Sequence, residues 1–469
     1  MALWRAWVLV WDSDGKSMKH DADVIVLGAG YAGLSAADQL RQAGKQVVLL
    51  EARDRVGGRT RTDHLDDGLW VDVGGQWVGP GQDHLYALAR RFVKTVWPMY
   101  VKGRHVLHLE GRQRSYRGLI PTSLSPLALL NLGWGFARLE WLARRVPLDA
   151  HWQARGAQAL DQQSLGDWMR RNLRHRHAFL MMQVAVEAVF ASHPNDISLL
   201  HALFYLRSGG GIEKLTSSAG GAQQDRVDGG MQGLAECWAQ DLREQGVHIL
   251  LEHPVRAVEQ QAGGTLVHTD SGVFSAARII STLPPILALD VDFRPGMPTD
   301  RRDWCAAMVP GRVIKCFAIY QAPFWRSLGL SGSAVGDTRP CHVAFDATPP
   351  GTDKGILLGF IEGREAEHWA QQSEPARREA VVNCFGNFFG AAAREPEQYF
   401  DHTWASEQWS RGCYAGVAGR GSVLRLAASA RMPHGLVHWA GTETSSHWNG
   451  YIEGAIRSGI RAAGEVLAP

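Results

Sequence analysis

The chain has 469 residues, 45% of them hydrophobic and 20% charged, which is enough to bury a large core and to divide into two domains. A formal net charge of +2, with no block of basic residues, excludes nucleic acid as an electrostatic partner. The six cysteines, Cys237, Cys305, Cys316, Cys341, Cys384 and Cys413, stand singly without a CxxC pair, so no disulfide framework and no metal site is expected and a reducing compartment is.

In chain order, Met1 to Trp11 is a short apolar run with one arginine, and Asp12-Ser13-Asp14-Gly15-Lys16 follows without a small-residue cleavage signature. A secretory signal does not fit this pattern; residues 1–20 read as a disordered extension, with Met18 as an alternative start. A strand, Asp23 to Leu27, then runs into Gly28-Ala29-Gly30-Tyr31-Ala32-Gly33, a helix to Ala43, and a second strand, Gln46 to Leu50, closed by Glu51. Gly28, Gly30 and Gly33 allow a tight turn and a close approach of pyrophosphate to a helix N-terminus, and the Glu51 carboxylate can accept from a ribose hydroxyl. Glycine-rich turns also occur for steric reasons alone, but here strand, helix and acid fit together.

Arg53-Asp54-Arg55-Val56-Gly57-Gly58-Arg59-Thr60 continues directly, and Asp72-Val73-Gly74-Gly75-Gln76-Trp77 follows. A nicotinamide site needs no second glycine pair, whereas FAD is long enough to need backbone contacts from several segments. Ser123 to Val146, rich in Leu and Trp and closed by Arg144-Arg145, reads as a helix packed on a domain core, with an interfacial membrane helix as the alternative. No window holds some eighteen uninterrupted apolar residues, so no transmembrane anchor is expected. Arg207 to Gly230, rich in Gly, Ser, Gln and Ala, is either a flexible crossover or a lining of the substrate passage. Val247 to Leu251, Thr265 to Thr269 and Arg278 to Thr282 return to short strands.

Gly311 to Tyr320 reads as a strand with Val313, Lys315, Phe317 and Ile319 on one face. A lysine there is costly to bury, and Met would fill a similar volume. Either its amine snorkels to water or burial lowers its pKa and poises it for chemistry. Near the C-terminus stand Trp409-Ser410-Arg411-Gly412-Cys413-Tyr414, Ala440-Gly441-Thr442-Glu443-Thr444 and Trp448-Asn449-Gly450-Tyr451-Ile452-Glu453-Gly454.

From Asp21 onward these separated motifs resemble the flavin-containing amine oxidases, and the soluble monoamine oxidases among them most closely. The resemblance implies an α/β fold in which a discontinuous, Rossmann-like FAD-binding domain of the glutathione-reductase type interleaves with an α+β substrate domain. Residues 21–97, 228–303 and 407–469 would form the first, and residues 98–227, which are helical, and 304–406 the second.

The resemblance also implies FAD contacts from Gly28, Gly30, Gly33, Glu51, Arg53, Gly58, Arg59, Gly75, Gln76, Trp77, Val255, Cys413, Glu443, Tyr451 and Ile452, with Glu443 reaching in from the N-terminal end of the last helix. Lys315 would hold a water at the flavin, and Tyr414 and Tyr451 would stand face to face so that the amine passes between electron-rich rings; each tyrosine alone also reads as a core residue. Cys413 matches the residue that carries the flavin through a thioether in membrane monoamine oxidases. Ala415-Gly416-Val417-Ala418 after it departs from their pattern, so a covalent link and a buried inert thiol both stand.

The implied activity is FAD-dependent oxidation of an amine to an imine and then an aldehyde, with O2 reduced to hydrogen peroxide, by a soluble cytoplasmic enzyme that is a homodimer or a monomer. Leu215, Thr216, Gln223, Phe204 and Phe345 are candidates for the substrate pocket. A putrescine-type oxidase is the alternative and would need a deep carboxylate, for which Glu187, Glu213 and Asp225 are candidates. An L-amino-acid oxidase fits less well, since no arginine lies in Gly74-Gly75-Gln76-Trp77, and a flavin-binding protein without catalysis would bind FAD that no amine reduces.

Overall fold

A computed structural model describes residues 20–65 and 68–468; the extension read at 1–20 lies, but for His20, outside them. The first strand, Ala22–Leu27, is apolar along almost its whole length because both its faces are buried, Val24 and Val26 in one apolar cluster and Ala22, Ile25 and Leu27 in another, as a doubly covered parallel sheet requires. It pairs with Val47–Leu50 on one side and with Gly272–Ser281 on the other, and His248–Leu250 extends the sheet beyond Val47–Leu50. Val437–Trp439 adds a parallel strand to Gly272–Ser281, while Gly264–Thr269 and then Val255–Gln261 continue the sheet antiparallel, and Asp292–Arg294 pairs parallel with Val255–Gln261 at the edge. One sheet is thus assembled from parts of the chain separated by hundreds of residues.

The helix Tyr31–Gln42 covers this sheet, and the helix Ile452–Leu467 lies against it. Their contact is close because both are small-residue faces: a Cβ on Gly459 would stand 2.2 Å from the Ala32 carbonyl oxygen.

A second, seven-stranded sheet runs Gln398–Thr403, Val313–Tyr320, Gly355–Glu362, Val343–Asp346, Leu330–Gly336, Arg104–Leu109 and Arg112–Tyr116. Val313–Tyr320 sits between two antiparallel partners, and every one of its residues is buried. Helices gather on the other side: Pro126–Ala143, Arg176–Phe190 and Leu199–Ser208 share one apolar cluster with Trp168 and Phe204.

The helix Pro126–Ala143 departs in part from its reading as a core helix. Ser125 caps it, with Pro126 in its first turn, and Ala128, Leu132, Gly135, Leu139 and Ala143 are buried. Leu127, Leu130, Trp134 and Trp141, however, point outward and are exposed. No helix among the described residues is long and apolar enough to cross a membrane.

Candidate active site

The C-terminal edge of the first sheet opens into a long cleft, the place where parallel α/β sheets bind ligands. Gly28 has φ +100°, open to glycine and strained for other residues, and a Cβ there would stand 2.7 Å from Thr282 Oγ1. At Gly33 a Cβ would fall 1.9 Å from the Gly28 carbonyl oxygen, so the helix can start this close to the turn only without a side chain. Gly28, Gly30, Glu51, Arg53, Gly58, Arg59, Gly75, Val255, Cys413, Tyr451 and Ile452 all line the cleft. The Glu51 carboxylate accepts from Ala29 N–H at 2.7 Å and Arg53 N–H at 3.0 Å, so it is fixed at the end of its strand facing the glycine turn.

Gly33, Gln76, Trp77, Glu443 and Lys315 stand outside that lining. Glu443 corrects the sequence reading. It lies in the short turn Thr442–Thr444, ahead of the last helix, and Arg59 takes both its oxygens at 2.6 and 3.1 Å while Gly416 N–H donates to one of them at 3.2 Å. Burial raises the pKa of its carboxyl, but Arg59 outweighs burial and holds it below the usual range. Arg59 also donates to the Tyr414 carbonyl oxygen at 2.9 Å, so this pair, with Glu443 buried and Arg59 partly exposed to the cleft, joins the second glycine motif, the Cys413-Tyr414 segment and the C-terminal motif. Gly441 and Thr442 face the cleft in place of Glu443.

Lys315 is 2% exposed, so its amine does not snorkel. Its Nζ donates to the Asp72 carbonyl oxygen at 2.5 Å, the Gly74 carbonyl oxygen at 2.9 Å and Gln76 Oε1 at 2.6 Å, tying the second sheet to the Asp72–Trp77 segment beneath Gly75. Burial pulls its ammonium down to about 7, opposed by Asp72. Asp72 in turn faces buried Arg226 at 3.6 Å and accepts from Thr62 Oγ1 at 2.7 Å. Gln76 Nε2 and Trp77 Nε1 are buried donors with no protein partner, the kind of group a bound cofactor or water satisfies.

Tyr414 and Tyr451 both line the cleft. The rings against Tyr451 are Tyr205, at 6.0 Å between centroids, and Trp448, at 5.2 Å. The Tyr414 hydroxyl donates to Glu362 Oε1 at 3.0 Å. Glu362 ends the strand Gly355–Glu362 opposite Val313, and burial, with Glu187 nearby, pushes its carboxyl up to about 8. Neither Tyr205 nor Glu362 is singled out by the sequence. Glu362 left a signal, an acid closing the apolar run Gly355 to Ile361; Tyr205 left none within the apolar helix Leu199–Ser208. Cys413 is buried, its thiol pushed up to about 12 by that burial.

Tyr414, Cys413, Trp77, Val184 and Phe345 share one apolar cluster, and Val184 and Phe345 also line a separate cavity of about 530 Å³. Thr216, Gln223 and Phe345 line this cavity. Leu215 and Phe204 do not and are corrected. Leu215 is fully buried beneath Gly209, and Phe204 stacks on His151 at 4.0 Å in a different, smaller recess. Of the three carboxylates considered, Glu213 alone lines the cavity, and it is exposed. Glu187 binds Gln183, and Asp225 accepts from Gln224 and Tyr86.

Residues 31–467 match the family described as flavin containing amine oxidoreductase. AofH of Mycobacterium tuberculosis, described as a flavin-containing monoamine oxidase, is 39% identical over 449 residues, 95% of this chain and 96% of that one. Amine oxidase [flavin-containing] A of the dog is 31% identical over 96% of this chain and 85% of its own length. Among solved structures, putrescine oxidase bound to putrescine superposes with a TM-score of 0.91 at 29% identity, covering 96% of this chain and 99% of that one. Cyclohexylamine oxidase of Brevibacterium oxydans superposes with 0.90 at 29% identity, covering 95% and 98%. The chain belongs to the flavin-containing amine oxidoreductase family, and its mixed α/β fold is that of the FAD-dependent amine oxidases.

Proposed function

We propose that this enzyme oxidises a monoamine with an apolar body, and that the cavity behind Phe345 receives that body. The observation that carries this reading is the lining: Leu132, Phe136, Met181, Val184, Val189 and Val343 stand there with a single carboxylate, Glu213, which is exposed. A short diamine bound inside would leave its second ammonium without a buried counter-charge, a costly arrangement.

The cleft residues fit FAD, with the Gly28 turn that a Cβ would fill and the Glu51 carboxylate fixed beside it, and the buried unsatisfied donors of Gln76 and Trp77 stand next to Gly75 behind the lining. Bound FAD would supply the two-electron acceptor that O2 then reoxidises. The rings of Tyr414 and Tyr451 orient the amine nitrogen, and the apolar walls favour its neutral form. Glu362, protonated below about pH 8, fixes the Tyr414 hydroxyl and hence the ring plane, as a positioning residue. Lys315 holds the Asp72–Trp77 segment and places its amine behind Gly75. Cys413 lines the cleft, where a thioether to the flavin is the proposed link; acid precipitation that leaves the yellow colour in the pellet supports it, and full release of flavin rejects it. The six free thiols fit work in a reducing cytoplasm.

A peroxide-coupled screen of arylalkyl and cyclic monoamines, putrescine, spermidine and L-amino acids tests the reading. The highest kcat/KM is expected for a monoamine; preference for putrescine would transfer the assignment to the diamine class.

A further inference from the structure

The helix Pro126–Ala143 buries one face and leaves the other bare. At about 100° per residue, Leu127, Leu130, Trp134, Arg138, Trp141 and Arg145 fall within a stripe about 80° wide that runs most of the helix's length, roughly 27 Å. Leu127 is 71% exposed, Leu130 72%, Trp134 56% and Trp141 45%. The buried Ala128, Leu132, Gly135, Leu139 and Ala143 lie on the opposite side, so this stripe is surplus to the packing of the fold. Exposed apolar side chains scattered singly are ordinary, but an aligned row of two leucines and two tryptophans is a binding surface.

Charge identifies its partner. Residues 111–146 carry six arginines, Arg112, Arg114, Arg117, Arg138, Arg144 and Arg145, against one acid, Glu140, a local excess larger than the net charge of the whole chain. Arg138 and Arg145 stand over the Trp141 ring, at 4.3 and 3.1 Å from its centroid, so the basic groups stay beside the apolar row. Leucines and tryptophans flanked by arginines that reach past them are the pattern of a helix lying in the headgroup layer of a membrane, with the guanidinium groups on lipid phosphates. A second copy of this chain suits the surface less well, because a two-fold contact through this face would set arginines against arginines.

We propose that this face seats the protein on a negatively charged lipid surface, lying on the bilayer without crossing it. Leu132 and Phe136 of the same helix line the amine cavity from the inner side. Docking therefore brings one wall of that cavity within a helix diameter, about 10 Å, of the lipid.

The test is cosedimentation of the flavin-loaded enzyme with large unilamellar vesicles, either of phosphatidylcholine alone or of equal parts phosphatidylcholine and phosphatidylglycerol. Intrinsic fluorescence would be uninformative with 18 tryptophans in the chain, so pelleted flavin absorbance is the readout. The wild type is expected to pellet with the anionic vesicles at low ionic strength and to be released by salt. Leu127→Gln/Leu130→Gln/Trp134→Gln should retain flavin and bind about tenfold more weakly or worse. Arg138→Gln/Arg145→Gln keeps the apolar row and should lose the preference for anionic over neutral vesicles. The proposal is overturned by a wild type that pellets with neither vesicle, by a triple variant that pellets as the wild type does, or by sedimentation velocity showing that the triple variant splits a dimer while the wild type ignores lipid.

Discussion

The glycine-rich cleft and the apolar cavity border one apolar cluster, through Tyr414 and Cys413 on the cleft side and Val184 and Phe345 on the cavity side, yet they are built by different rules. The cleft is shaped by backbone: the left-handed turn at Gly28, the close approach at Gly33, and carboxylates held by N–H groups and Arg59. The cavity is shaped mainly by side chains from Tyr116 and the loop after it, three helices and the second sheet, with Gly118, at φ +80°, the one left-handed residue among those that line it. A ligand gripped by backbone constrains residue types at fixed spacings, whereas a ligand enclosed by side chains constrains only their summed shape. The cleft should therefore be brittle to single changes and the cavity tolerant.

The largest effect is expected at the Arg59–Glu443 pair. Glu443→Ala leaves the guanidinium of Arg59 without its counter-charge and frees the Tyr414 carbonyl region, costing about 3–5 kcal/mol. Urea denaturation should show that loss together with poor flavin retention; a variant as stable as the wild type would show that the two motifs are held together by something else.

Lys315→Met comes next. Met fills the volume and removes the cost of burying an amine, which partly offsets the loss of about 1–3 kcal/mol for each of Asp72 O, Gly74 O and Gln76 Oε1 left without this donor, so the net effect falls below that of Glu443→Ala. The variant should be less stable and turn over slowly, with stopped-flow half-reactions telling whether reduction by amine or reoxidation by O2 carries the defect. Wild-type stability and rates in both halves would reduce Lys315 to a filler.

Tyr414→Ala should lower kcat/KM by about 100-fold through lost alignment, with Tyr414→Phe milder because the ring survives while the bond to Glu362 goes. Equal effects of the two would rule out ring orientation as the role of Tyr414.

Glu362 gives a pH-dependent arm. Its folded pKa of about 8 lies above the ordinary 4.5, so the fold holds a proton that the unfolded chain has already released. That contribution to stability is fully present below about 4.5 and lost as pH rises through about 8. Thermal denaturation across that window should fall more steeply in the wild type than in Glu362→Gln; identical slopes would mean the carboxyl is ionised in the fold.

The smallest effect is expected in the cavity. Phe345→Ala should change the ranking of amines by a few-fold toward bulkier ones with flavin content unchanged, and loss of flavin would contradict the separation of cavity from cleft.

The same contrast explains what was legible in the sequence. The βαβ opening, the glycine pair at Gly57-Gly58 and the C-terminal motif were readable because backbone geometry dictates their residues. Lys315 was readable as an anomaly on an apolar strand, but its environment was not: strand alternation carries no information where both faces are buried, as they are here, with Ile314, Cys316 and Ala318 in one apolar cluster and Val313, Phe317 and Ile319 in another. That Phe204 and Leu215 stand away from the cavity was not legible, because a helix pattern reports that a residue is buried, not which space it borders. Glu362 escaped because its partner, Tyr414, lies 52 residues further on, and no spacing rule links a strand end to a loop tyrosine.

The seam between Tyr31–Gln42 and Ile452–Leu467 carries a consequence for biosynthesis. The helix that follows the dinucleotide turn, Tyr31–Gln42, leaves the ribosome long before the helix that covers it, Ile452–Leu467. At about 5–20 residues per second, roughly 20–80 s separate the two. Throughout that interval the face bearing Ala32, Ser35 and Ala36, which Gly459 will abut, has no cover from the chain itself. A nascent chain stalled before Gly459 should therefore be recovered with trigger-type chaperones and without flavin, and release of the remaining residues should make the cradle competent in a single late step.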